Sequence, residues 1–200
     1  TTGSMSDELS YLQSELEDVV QRTRGEGEKQ LDVRLSVNFY RDSGDAYTVR
    51  SNPFTSDIDK AASTLAAQSA SGGGDYPEAV HAGLKDAIED HEWSSNARAR
   101  LLFLVLDAPP HENAQVRESL HHSIRLAAEK GVRIIPLAAS GTDRNTEYLL
   151  RTSSILTGGT YTFLTNHSGI GNDHLEPSVG EFEVEYLNDL MVRIIGEYTQ

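Results

Sequence analysis

Leu101-Leu102-Phe103-Leu104-Val105-Leu106, followed at once by Asp107-Ala108-Pro109-Pro110-His111, is the stretch from which the fold can be read. Six consecutive apolar residues suit a strand, and fall far short of the ~20 needed to cross a bilayer. A strand apolar on both faces belongs inside a sheet covered on both sides. The proline-containing run stops it and sets Asp107 on the loop at its carboxyl end. Val132 to Ala138 reads the same way, and Thr160 to Leu164 as a last strand.

Helical patterns separate these strands. Met5, Leu9, Leu12, Leu16 and Val19 recur at spacings of three and four, with Ser4 or Ser6 suited to cap the helix they define. Further helices are expected over Ile58–Ala70, Pro77–His91, Ala114–Lys130, Glu147–Leu156 and Val184–Tyr198. In the last of these, Leu187, Leu190, Met191 and Ile194 form the stripe that should pack inward. Leu31 to Phe39 alternates like a half-buried strand, and Ser43-Gly44-Asp45 reads as a hairpin turn into a short strand, Ala46 to Arg50. The polar stretch 165–180 is expected to be a loop. Strands joined through helices make crossovers, so residues 1–200 read as a single three-layer α/β domain. Its sheet is doubly wound and mostly parallel, with helices on both faces.

Composition narrows the function. With 17 basic and 31 acidic side chains, the formal charge is −14, the wrong sign for gripping a phosphate backbone. Nucleic acid is therefore not an expected partner. No basic-then-apolar start is present in this stretch, and no segment is suited to membrane insertion. The absence of cysteine excludes disulfides and thiolate metal sites.

Ligands of open α/β sheets bind at the carboxyl ends of the strands. Three strand-end loops carry the candidates. They are Thr1-Thr2-Gly3-Ser4-Met5-Ser6, Gly72-Gly73-Gly74-Asp75-Tyr76-Pro77-Glu78, and Asp107-Ala108-Pro109-Pro110-His111. Thr2 and Ser4 are two apart, so in an extended turn both hydroxyls face one side. Hydroxyls and carboxylates together suit a hard cation with oxygen ligands, magnesium above all.

These motifs, in this order, resemble the von Willebrand factor A domain family. Its metal-ion-dependent adhesion site runs Asp-x-Ser/Thr-x-Ser, then Thr or Asp in a Gly-Gly loop, then Asp after the fourth strand. Thr2 and Ser4 match the hydroxyl ligands and Asp107 the last aspartate. Asp75 takes the usual threonine position, as in a largely bacterial branch with Gly-Gly-Gly-Asp-x-Pro-Glu-Ala and Asp-Ala-Pro-Pro-His stretches. The resemblance implies a Rossmann-like fold and a metal site of Thr2, Ser4, Asp75 and Asp107, with Ser6, Glu78 and His111 at its rim. It also implies Mg²⁺ as cofactor, with Mn²⁺ or Ca²⁺ as substitutes, and a protein partner presenting an acidic residue. The protein is then an adhesion or interaction module with no catalytic residues. An extracytoplasmic or cell-surface setting is favoured, with a cytoplasmic one left open. The motif's leading Asp should stand just before Thr1, at the end of the central first strand. The expectation is therefore a domain truncated at its N-terminal side, with more chain upstream and an interruption in the middle of the sheet.

Rival readings are weaker. Thr1 as an N-terminal nucleophile calls for a different sheet architecture. The pairs Glu78/His81 and Glu118/His121 have the Glu-x-x-His spacing of di-iron bundles, but two strongly apolar strands do not fit a four-helix bundle. Both pairs are expected on exposed helix faces, as is His121-His122, and Trp93 is expected to be a packing anchor. His111 either shapes the rim or caps the following helix. The glycine run lacks the Gly-Lys-Ser/Thr ending of a phosphate loop. A metal-assisted hydrolase, or phosphoryl transfer through Asp107, stays as the alternative. No Lys or Arg adjoins the three loops to steady a phosphate.

Overall fold

The apolar run at 101–106 does form the strand around which the sheet is built. The computed structural model describes residues 1–25, 30–74, 76–139, 141–165 and 184–200. A 3-10 turn (Gly3–Met5) leads into helix α1 (Ser6–Arg24), followed by strands β1 (Phe39–Tyr40) and β2 (Val49–Arg50) and helix α2 (Ile58–Ala66). Helix α3 (Val80–Lys85) runs on into a π-helical turn (Asp86–Asp90). Then come β3 (Arg100–Leu106), α4 (Ala114–Lys130), β4 (Val132–Ala138), α5 (Arg144–Thr157), β5 (Thr162–Phe163) and α6 (Leu187–Thr199).

Strands β3, β4 and β5 are parallel neighbours in that order, with Leu102 opposite Ile134 and Leu137 opposite Thr162. β1 and β2 pair antiparallel in a sheet of their own, Tyr40 opposite Val49. Among the described residues no ladder joins the two sheets.

Side-chain alternation along the strands sets the layers. Leu104, Leu106, Ile134 and Ala138 face one way and pack with Val80, Leu84, Leu120 and Ile124 of α3 and α4. Val105 and Leu137 face the other way, toward Met5, Leu187, Leu190 and Met191. Each large aliphatic side chain so buried contributes about 1.5–3 kcal/mol. Helices cover both faces, and the architecture is the expected α/β one. The stripe on α6 is also as expected, with Leu187 and Ile194 buried. It meets α1 as well as the sheet: Arg22 pairs with Asp189 at 2.7 Å, and Asn188 Nδ2 donates to Glu15 at 3.0 Å.

Several boundaries differ from the sequence reading, each for a physical reason. Leu31, Val33 and Leu35 keep their alternating burial, yet before Phe39 the segment makes only one bridge, Leu35 with Thr55. Period-two patterning marks a face but supplies no partner strand. Helix α2 stops at Ala66, because the Gln68 and Ser69 carbonyls instead accept from Gln13 at 2.9 Å and Arg41 at 3.0 Å. Helix α5 starts at Arg144, where Asp143 accepts from the Thr146 N–H at 2.7 Å. Neither Ser4 nor Ser6 caps α1, which grows directly out of the 3-10 turn. Asn113, not His111, caps α4, accepting from the Val116 N–H at 2.9 Å.

The start of α3 matters most for function. The helix begins at Val80 rather than Pro77, because Glu78 forms a parallel bridge with Pro110 and its N–H donates to Pro109 O at 2.9 Å. Glu78 is therefore buried, 6% exposed, and not on an exposed helix face. His121 and His122 are exposed as expected. Trp93 is an anchor, donating to Ala87 O at 2.8 Å and lying edge-on to Phe54. Of the expected loop 165–180, all but Thr165 lies outside the described residues, and among the described residues no helix is long and apolar enough to cross a membrane.

Candidate functional site

The three loops singled out in the sequence are tied together by backbone hydrogen bonds. Gly3 N donates to Gly72 O and Ser71 N donates to Thr1 O, each at 3.3 Å, so the N-terminal run lies along the glycine loop. The Glu78–Pro110 bridge fastens the far end of that loop to the segment after β3. Gly72 and Gly73 have φ of +80° and +87°, a region that L side chains rarely adopt. A Cβ on Gly73 would also stand 3.3 Å from Thr2 Cβ, so the glycines let this loop close on Thr2.

Within this junction Thr2, Glu78 and Asp107 are buried. Burial pushes the Glu78 carboxyl above its ordinary range; the Thr2 hydroxyl pulls it back, while Asp42 and Asp107 push it further up. The Thr1 backbone nitrogen donates to Tyr40 O at 2.8 Å. Burial, then Asp107 and Glu78, raise the Tyr40 phenol. Arg41 is also close but already committed, donating to Ser69 O and Ser71 Oγ and lying over the Tyr47 ring. Asp42 and Asp107 are thus near enough to act on Glu78.

The other candidates fall as follows. Ser4 and Ser6 are exposed at the start of α1, and Ser6 Oγ lies 3.4 Å from Asp7 Oδ1. Asp75 lies outside the described residues. His111 is half-buried and bonds Asp42 at 2.5 Å. Asp42 and Asp45 escaped the sequence reading, although the signal was there. They flank the Ser43-Gly44 turn that follows β1, and so stand at a strand end like the residues that were found.

The donors at the junction are hydroxyl and carboxylate oxygens, and two buried carboxylate oxygens there, Glu78 Oε2 and Asp45 Oδ2, have no hydrogen-bond partner among the described residues. That chemistry fits a hard divalent cation. No group of three or more His, Cys, Asp and Glu among the described residues is arranged to hold a metal.

A parallel sheet with helices on both faces, and hydroxyl and carboxylate side chains on its loops, defines the class as α/β. A family model of the von Willebrand factor A domain matches residues 1–171, and the chain belongs to that family. No curated protein matches the chain.

Proposed function

We propose that this domain is a divalent-cation-dependent protein-binding module of adhesion type. Thr2, Ser4, Asp75 and Asp107 would hold Mg²⁺, directly or through water, with Ser6, Glu78 and His111 at the rim. Bound there, the cation supplies an incompletely neutralised charge that accepts a carboxylate from a partner protein. Thr2 and Ser4 would present hydroxyl oxygens, and Asp107 a charge held in place by the loop after β3. The observation that carries the reading is the backbone tie between the Thr1–Gly3 run, the Gly72 loop and the segment after Asp107. Membership of a family whose domains often mediate protein interactions supports it.

We read the activity as binding rather than catalysis. The best nucleophile–base pair among the described residues lies elsewhere, at Ser36 and His91, 3.1 Å apart. Its geometry is that of a staple. The Ser36 hydroxyl donates to Asn52 O at 2.5 Å, and His91 Nδ1 lies 3.0 Å from the Asp86 carbonyl but 3.8 Å from its carboxylate.

The test is to immobilise the chain and measure binding of Asp-containing peptides and their Asn counterparts, in Mg²⁺ and in chelator. Binding that needs both the carboxylate and the cation is expected. If the chain takes up no divalent cation by calorimetry, the proposal fails.

A further inference from the structure

Among the described residues, Tyr76 is the one exposed large apolar side chain on the three loops, and it is 51% exposed. It is nonetheless anchored. Its phenol donates to Gly141 O at 2.6 Å, which pins the ring from the glycine loop to the turn after β4. Gly141 has a φ of +88°, and a Cβ there would lie 3.8 Å from Asp107 O. The anchor point therefore adjoins the loop that carries Asp107. Burial first, then the carboxylates of Asp143 and Asp107, raise the pKa of the Tyr76 phenol, so both acids act on this side chain. Asp143 lends Oδ1 to the Thr146 N–H at the start of α5. Neither Asp143 nor Asp107 enters an ion pair among the described residues.

An exposed ring already held at its tip gives up little freedom when a partner packs on it, which is one reason tyrosine is frequent in protein interfaces. The face of the ring is electron-rich and attracts cations. Asp143 and Asp107 strengthen that field, in a chain of formal charge −14. An apolar side chain laid on the ring would strip water from these carboxylates and return nothing to them. We propose that Tyr76 is a recognition residue beside the cation site: its ring takes a basic side chain, Arg or Lys, from the same partner segment whose acidic residue meets the cation. The inference rests on the cation-binding reading above. The partner segment then carries an acidic and a basic residue a few positions apart, and the basic one offsets the repulsion that an acidic segment meets on this surface.

The test offers the full chain a hexapeptide library with one fixed Asp, and a matching library with Asn in its place, in Mn²⁺ and in chelator. Peptides retained by wild type in Mn²⁺ should be enriched in Arg or Lys near the Asp. Tyr76→Leu, apolar but without an aromatic face, should lose that preference, and Tyr76→Phe should keep it. Replacing the basic residue of a retained peptide by Gln should weaken its binding to wild type by about 2- to 5-fold, the worth of a cation over an exposed ring, and to Tyr76→Leu by less. Retained peptides with no excess of Arg or Lys, or equal losses in wild type and Tyr76→Leu, overturn the role of Tyr76. If those peptides still need both Asp and Mn²⁺, the cation site stands. Should Tyr76→Leu fail to fold, the wild-type library decides alone, and no basic excess in it overturns the inference. Equal retention of the Asp and Asn libraries, or retention undisturbed by chelator, removes the cation site and this residue's part in it.

Discussion

His111 donates through Nε2 to Oδ1 of Asp42 across 2.5 Å, and this bond fastens the turn after β1 to the loop after β3. Two sheets that share no ladder among the described residues are thereby joined at their carboxyl ends by side chains.

Removing that tie should be felt in stability. Asp42 is buried, so His111→Ala leaves a carboxylate oxygen without its partner. A cost of about 1–3 kcal/mol is expected in urea unfolding. A double-mutant cycle with Asp42→Asn should show most of that loss shared between the two sites; strict additivity would mean that the bond is idle.

Two effects compete at Gly83, inside α3. Alanine should gain about 1 kcal/mol in helix propensity. Its Cβ would stand 2.8 Å from Cδ1 and 2.9 Å from Cγ of the Tyr40 ring, which packs against the main core. Overpacking of that kind costs about 1–3 kcal/mol, so Gly83→Ala should be destabilising on balance. In a Tyr40→Ala background the same change should turn neutral or stabilising, as thermal unfolding can show.

Gly159 and Gly196 make a contrasting pair. A Cβ at Gly159 would lie 2.0 Å from the Ile134 carbonyl oxygen, a backbone atom inside β4 that cannot step aside. Gly159→Ala should cost about 4 kcal/mol or more, at the extreme of single substitutions. Gly196, in α6, has nothing within 4 Å of such an atom, and Gly196→Ala should stabilise by about 0.5–1 kcal/mol. Equal effects of the two changes on the unfolding midpoint would contradict the packing described.

Acid should weaken the fold through His81. Burial, then the facing His111, lower its pKa, while Asp42 pulls the other way. The folded ring therefore declines a proton that the unfolded chain accepts near pH 6.5. This contribution to stability is complete above the unfolded pKa and is lost as pH falls below it. The stability of His81→Gln should accordingly fall less steeply than that of wild type between pH 7 and 5, measured by urea unfolding. Parallel curves would remove His81 from the account.

What could be read in advance was whatever depends on neighbours in sequence. Strands β3 and β4 announce themselves by unbroken apolar runs, and α4 by its periodicity and the Gly131 that ends it. The stripe on α6 needed no knowledge of what it would meet. Features decided by distant partners were illegible. Pro77 argues for a helix start, and only the bridge from Glu78 to Pro110 overrules it. Asp42 carries no motif of its own, and its importance comes from His111, 69 residues away. That Asp107 stands on the loop after β3 was legible from the apolar run before it, whereas the burial of Glu78 depends on how the loops meet.

The packing of α6 on α1 has a consequence in time. Arg22 and Asp189 are separated by 167 residues, so the first helix is synthesised long before the helix that covers it. At about 5–20 residues per second, translation leaves an interval of roughly 8–33 s between them. Through that interval the apolar flank of α1 around Leu12 lacks its α6 neighbours, Leu190 and Met191. Until α6 is synthesised, the nascent chain thus offers chaperones the hydrophobic flank of α1.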